Sequence, residues 1–180
     1  FPYTTLFRSI EDDACPIYTG RYIRGVKNGE SPDWMKKALV AAGLRPISAL
    51  VDITNYLNIA ECRPLHVFDA DKVVGNITVR AAKEGEKMMA LDDKEYTLSS
   101  EVCVIADDKA AQSIAGIMGG VDTAVSKETV NVFLESAYFI PAKIAKAGGL
   151  TGAMSDSRSR FERGVDPASS IDDNARATQM

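Results

Sequence analysis

Residues 77–106 read ITVRAAKEGEKMMALDDKEYTLSSEVCVIA. Short runs of β-branched, aromatic and other apolar residues alternate here with polar ones, at Ile77–Ala81, Lys87–Ala90, Glu95–Leu98 and Val102–Ala106, and each reads as a strand. Leu91-Asp92-Asp93-Lys94 has the composition of a hairpin turn. The spacing predicts a β meander.

Helices flank this strand-rich block. Upstream, Ile17–Val26 is a further strand, and Ser31-Pro32 opens a helix with Ser as N-cap and Pro at the first helical position. Trp34, Met35, Ala38, Leu39 and Ala42 recur at helical spacing, and Gly43 ends the run. Pro46–Ala60 reads as a second helix, broken by Arg63-Pro64. Downstream, Gln112–Met118 is an apolar run closed by Gly119-Gly120. Thr129–Ala137 is a strand and Pro141–Ala147 a short helix. Gly148–Gly152 reads as a flexible loop, and Asp166-Pro167 starts a last helix that runs to Met180. That helix suggests a piece of a longer chain. Strands in the middle with helices around them predict an α+β fold, spanning residues 11–180. Residues 1–10 have no clear period and read as non-native or disordered, with a genuine short strand or linker end as the alternative, so Phe1 to Ser9 are set aside.

The chain has 180 residues, 46% of them hydrophobic, and a net charge of −4. The acidic balance argues against a free-standing nucleic-acid binder, although Arg158, Arg160 and Arg163 could form a local basic strip. No apolar run reaches membrane-spanning length. Cys15, Cys62 and Cys103 are scattered and suit free thiols in a reducing compartment. One histidine and no clustered cysteines argue against a structural zinc site.

Candidate chemistry begins with that histidine. His66 lies between Pro64 and Phe68, with Thr54 and Asn55 upstream. An imidazole among apolar neighbours is often a packed core group; it is also the side chain best placed to move a proton near neutral pH. Glu135 follows Val132-Phe133-Leu134, where a carboxylate is costly unless it is hydrogen-bonded or opens into a wet pocket. An outward-facing strand position would equally accommodate it. Gly116, Gly119 and Gly120 permit close backbone approach to a ligand, but the segment is not a dinucleotide fingerprint, and no phosphate loop or serine-hydrolase elbow occurs. Ser155, Ser157 and Ser159, beside the arginines, could touch phosphate or form a solvated loop.

VDITNY (51–56), PLHVFDADKV (64–73), IAGIMGG (114–120), VFLESAYF (132–139) and SRFERGVDP (159–167), in this order and spacing, resemble the B3/B4 domain of the bacterial phenylalanyl-tRNA synthetase β subunit. The resemblance implies a layered α+β unit with a β-sandwich-like core. It implies an editing site that hydrolyses tyrosine misattached to the phenylalanine tRNA. On it, Glu135 would accept the tyrosine phenol and His66 would stand beside the scissile ester. Arg45, Thr54 and Asn55 would line the pocket or meet the terminal adenosine, and Gly119 would leave room for substrate. Ser155 falls at a pocket position that is often Thr, and Ser157 falls where related sequences have alanine. The resemblance further implies a cytoplasmic ligase whose α subunit, in an α2β2 heterotetramer, carries out aminoacylation with ATP and magnesium. It implies no cofactor in this stretch and the aminoacylated tRNA end as partner. A stand-alone trans-editing deacylase and a non-catalytic RNA- or subunit-binding module are the alternatives.

Overall fold

The computed structural model describes residues 8–180. Its strands are β1 (Arg8–Ile10), β2 (Ile17–Arg24), β3 (His66–Asp69), β4 (Ile77–Ala81), β5 (Glu86–Met89), β6 (Glu95–Leu98), β7 (Cys103–Ala106), β8 (Ala111–Ile114), β9 (Met118–Gly119) and β10 (Asn131–Tyr138). Its helices are α1 (Asp33–Ala41), α2 (Ala49–Ala60), α3 (Pro141–Thr151), α4 (Asp156–Phe161) and α5 (Ser170–Gln179), the last preceded by a 3-10 turn at Pro167–Ser169. The α+β class read from the sequence is the class observed.

The strands form a five-stranded sheet in the order β1-β4-β7-β8-β9, a three-stranded sheet in the order β2-β10-β3, and the β5-β6 hairpin. The small sheet is covered on both faces. Phe133 and Ala137 of β10, Phe68 of β3 and Tyr18 of β2 join Ile77, Val79, Val104, Ile105 and Ile114 of the large sheet in one core. Val132 and Leu134, pointing the other way, pack with Leu57 of α2, Val67 of β3 and Ala177 of α5. Two buried faces explain why the centre of β10 is a continuous apolar run.

Several expectations are corrected. The strands of 77–106 are not a simple meander: β4 pairs with β7, and the β5-β6 hairpin is an excursion between them. Ser31 does not cap α1, whose N-cap is Pro32; its hydroxyl donates instead to Asp52 Oδ2 at 2.5 Å, tying α1 to α2. The second helix starts at Ala49, not Pro46, because Asp52 Oδ1 reaches back to the Ile47 N–H (2.8 Å) and holds residues ahead of the helix extended. Gly148 and Gly149 lie inside α3 rather than in a loop, and the helix ends at Gly152, which is left-handed (φ 68°). A Cβ on Gly148 would come within 2.1 Å of Arg158 Nε, so this glycine serves close packing of α4 on α3. The serine-rich segment is helical: Ser155 caps α4 by accepting the Arg158 N–H at 3.0 Å. Of the first ten residues, Arg8–Ile10 pair in parallel with β4, while residues 1–7 lie outside the described residues.

A buried hub fixes the C-terminal helix. Arg63, 2% exposed, donates through Nε to Asp173 Oδ2 (2.7 Å) and through its terminal nitrogens to the carbonyls of Ala137 and Asp166 and to Ser170 Oγ. Sequence reading took Arg63-Pro64 only as a helix break. The same pair anchors the segment that leads into His66.

Candidate active site

Strand register brings the two singular residues together. β3 and β10 are antiparallel, and Glu135 lies directly opposite His66. Directly opposed residues project from the same face of a sheet, so the carboxylate and the imidazole share the face turned toward the large sheet. Glu135 is 6% exposed and sits in the register of the core residues Phe133 and Ala137; it is not an outward-facing strand residue. Its Oε2 accepts a hydrogen bond from Tyr18 Oη at 2.9 Å. Burial pushes its carboxyl up to about 7, and the Tyr18 hydrogen bond opposes that rise only in part.

His66 is half-buried and stands edge-on to Phe68, with ring centroids 4.4 Å apart. Burial pulls its imidazole down to about 4, so the ring is neutral at pH 7. Gly119 of β9 lies against it. A Cβ there would stand 2.4 Å from His66 Cε1 and 3.0 Å from Leu91 Cδ1. The glycine is therefore needed first to admit the histidine ring.

A cavity of about 260 Å³ opens onto this pair. Thr54, Asn55, His66, Gly119, Glu135, Ser155 and Ser157 all line it. Arg45 is exposed and does not; its neighbour Leu44 does. Thr54 and Asn55 reach the cavity from α2, where Thr54 Oγ1 also donates to the Val51 carbonyl at 2.8 Å. Ser155 is committed to structure. It caps α4 and donates to the Ile117 carbonyl at 2.6 Å, tying the helix to the turn between β8 and β9. Ser157 lies on the wall, half-buried.

The arginines do not form a phosphate cradle. Arg158 donates to the Ala153 carbonyl (2.7 Å) and to Glu162 (3.1 Å), which staples α4 to the end of α3. Arg160 meets Cys62 Sγ, and Arg163 is exposed. The three cysteines are free thiols; burial pushes the Cys15 and Cys103 thiols up, which makes them unreactive.

Sequence reading missed two polar members of the site. Asn58 lines the cavity and is spaced by four and three residues from Thr54 and Asn55, so helical spacing could have found it. Tyr18 lies 117 residues from Glu135 in the chain, and no local signal joins them. The arrangement can accept a hydrogen bond deep in the cavity at Glu135 and hold a water or ester near a neutral imidazole.

The sequence profile described as the B3/4 domain matches residues 14–180. The chain belongs to the B3/4 domain family. It is 59% identical over 168 residues to the phenylalanine–tRNA ligase β subunit of Ruegeria pomeroyi, covering 93% of this chain and 21% of that protein. It is 56% identical over 173 residues to that of Rhodospirillum rubrum, covering 96% and 22%. The chain thus spans about a fifth of the length of these curated relatives. An N-terminal fragment of the phenylalanyl-tRNA synthetase β subunit from Pyrococcus horikoshii shares the fold, with a TM-score of 0.53 at 16% identity over 81% of this chain and 48% of that one. No described helix is long and apolar enough to cross a membrane.

Proposed function

We propose that this chain is the editing domain of a phenylalanine–tRNA ligase β subunit, and that the cavity hydrolyses the ester of tyrosine misattached to the phenylalanine tRNA. The observation that carries the reading is the buried carboxylate of Glu135, opposite His66 at one cavity. A pocket built to admit phenylalanine rejects an analogue that merely adds a hydroxyl by only about a hundredfold. A second site gains selectivity by reading that hydroxyl positively. Glu135 provides the acceptor in an environment that strengthens the bond. A phenol donating to its carboxylate is worth about 1.5–3 kcal/mol, or roughly 10- to 100-fold in preference.

The chemistry is attack of water on the aminoacyl ester carbonyl, with the tRNA terminal hydroxyl as leaving group. His66 is neutral at pH 7 and accepts a hydrogen bond from the water. A base with a pKa near 4 orients water better than it deprotonates it, so the tRNA's own hydroxyl shares the proton transfer. Thr54, Asn55 and Asn58 line the same cavity from α2 and would supply hydrogen bonds to the substrate, and Arg45, exposed beside the cavity residue Leu44, would meet the terminal nucleotide. In this reading the chain works in the cytoplasm as part of an α2β2 synthetase, and aminoacylation with ATP and magnesium takes place on the α subunit.

The test is deacylation of tyrosyl- and phenylalanyl-tRNA by the intact synthetase and by the isolated chain. Glu135→Ala should erase most of the preference for tyrosine. His66→Ala should slow hydrolysis and keep the preference. An unchanged preference in Glu135→Ala refutes the assignment. Full activity of the isolated chain points to a trans-acting deacylase, and no activity in either preparation to a binding module.

A further inference from the structure

We propose that Tyr18 is the positioning residue of the cavity's carboxylate: its hydroxyl holds Glu135 Oε2, turns Oε1 to the substrate, and favours the accepting form of the group. The inference rests on the reading of Glu135 as the group that meets the substrate phenol.

The geometry is set by strand register. On β2, Gly20 lies directly opposite Glu135 and Tyr18 opposite Ala137. Tyr18 is therefore the diagonal neighbour of Glu135 on the same face, within reach of a long side chain. Gly20 has no side chain to intervene, and a Cβ there would stand 2.0 Å from Phe133 Cζ. The Phe133 ring thus lies over the glycine, and the Tyr18 ring stacks against it at 6.4 Å and 20°. Tyr18 is 3% exposed, so its hydroxyl is held where it meets Oε2 at 2.9 Å. Among the described residues, Tyr18 makes the one hydrogen bond to this carboxylate, through Oε2.

The surroundings give that bond its weight. His66 faces Glu135 from β3 and is neutral. The Cys15 and Cys103 thiols interact with it electrostatically and stay protonated. Ser113 from β8 and Asp156 from α4 line the same cavity, and among the described residues no lysine or arginine does. Burial drives the carboxyl toward its protonated form, and one neutral donor counters it. A protonated carboxyl is a weaker acceptor, so the Tyr18 hydroxyl sets the pH at which the site begins to read a phenol.

Tyr18→Phe in the intact synthetase tests this, because it keeps the ring and removes only the donor. The readout is the ratio of kcat/KM for tyrosyl- over phenylalanyl-tRNA deacylation, followed from mildly acidic to mildly alkaline pH. The ratio should fall about fivefold at neutral pH, recover as pH rises, and have its midpoint displaced upward by about one pH unit. Fluorotyrosine placed at position 18, a stronger donor, should move the midpoint down. Glu135→Gln should show a low ratio that does not vary with pH, and adding Tyr18→Phe to it should change nothing further. A wild-type midpoint in Tyr18→Phe, with or without a uniform fall in the ratio, overturns the proposal for Tyr18. A wild-type ratio in Glu135→Gln overturns instead the reading of Glu135.

Discussion

Glu135 and His66 should cancel one another in the pH dependence of stability, and replacing either should expose the other. Folding raises the Glu135 carboxyl from 4.5 to about 7 and lowers the His66 imidazole from 6.5 to about 4. Between about pH 4.5 and 6.5 the folded chain carries one proton on Glu135 and none on His66. In the unfolded chain the proton is on His66 and absent from Glu135. The proton counts nearly match, so the two contributions oppose one another and largely cancel in this window. In Glu135→Gln only His66 remains. The unfolded state then binds the extra proton, and stability is lost as pH falls from about 6.5 toward 4. In His66→Gln only Glu135 remains. The folded state now binds the extra proton, so its stabilising contribution is present below about 4.5 and is lost as pH rises through about 7. Each slope approaches about 1.4 kcal/mol per pH unit, or about 3 kcal/mol across the window. The half-buried His66 keeps solvent contact, so its slope is the shallower. Glu86, held at about 2 chiefly by Arg80, titrates below the window. Urea denaturation of the chain at several pH values measures this, with the double variant as control. Slopes of opposite sign in the single variants and a flat double variant are expected; wild-type slopes in both single variants would refute the reasoning.

Gly119→Ala would drive a methyl into the His66 ring. It should cost about 1–3 kcal/mol in denaturant titration and slow deacylation without altering the tyrosine preference. Arg63→Met leaves Asp173 buried without its partner and should destabilise the chain by about 3–5 kcal/mol, whereas changing both Arg63 and Asp173 to apolar residues should recover part of the loss. With a net charge of −4, the isolated chain should bind bare tRNA weakly at physiological salt, and submicromolar binding in a filter or anisotropy assay would contradict this.

Local chemistry made much of this molecule legible before any coordinates. The strands at Ile77–Ala81 and Glu95–Leu98 fall where β-branched and aromatic runs place them, and the helix from Asp33 stops at Ala41, just ahead of Gly43, whose φ is +84°. The motifs around His66, Gly119 and Glu135 identified the family, since side-chain type and order along the chain survive without knowledge of packing. Periodicity could not say which face of β10 carries Glu135, because both faces of that sheet are buried and Val132-Phe133-Leu134 show no alternation. It misread Gly148-Gly149 and the segment after Ser155, where Arg158 packing on the glycine backbone and a serine cap favour helix. The site itself is a product of register. Pairing His66 with Glu135, and Gly20 with Glu135 so that Tyr18 falls on the diagonal, are contacts across long stretches of chain. Such contacts depend on how strands align, and strand alignment is decided by the burial of whole sheets, not by the residues adjacent in sequence.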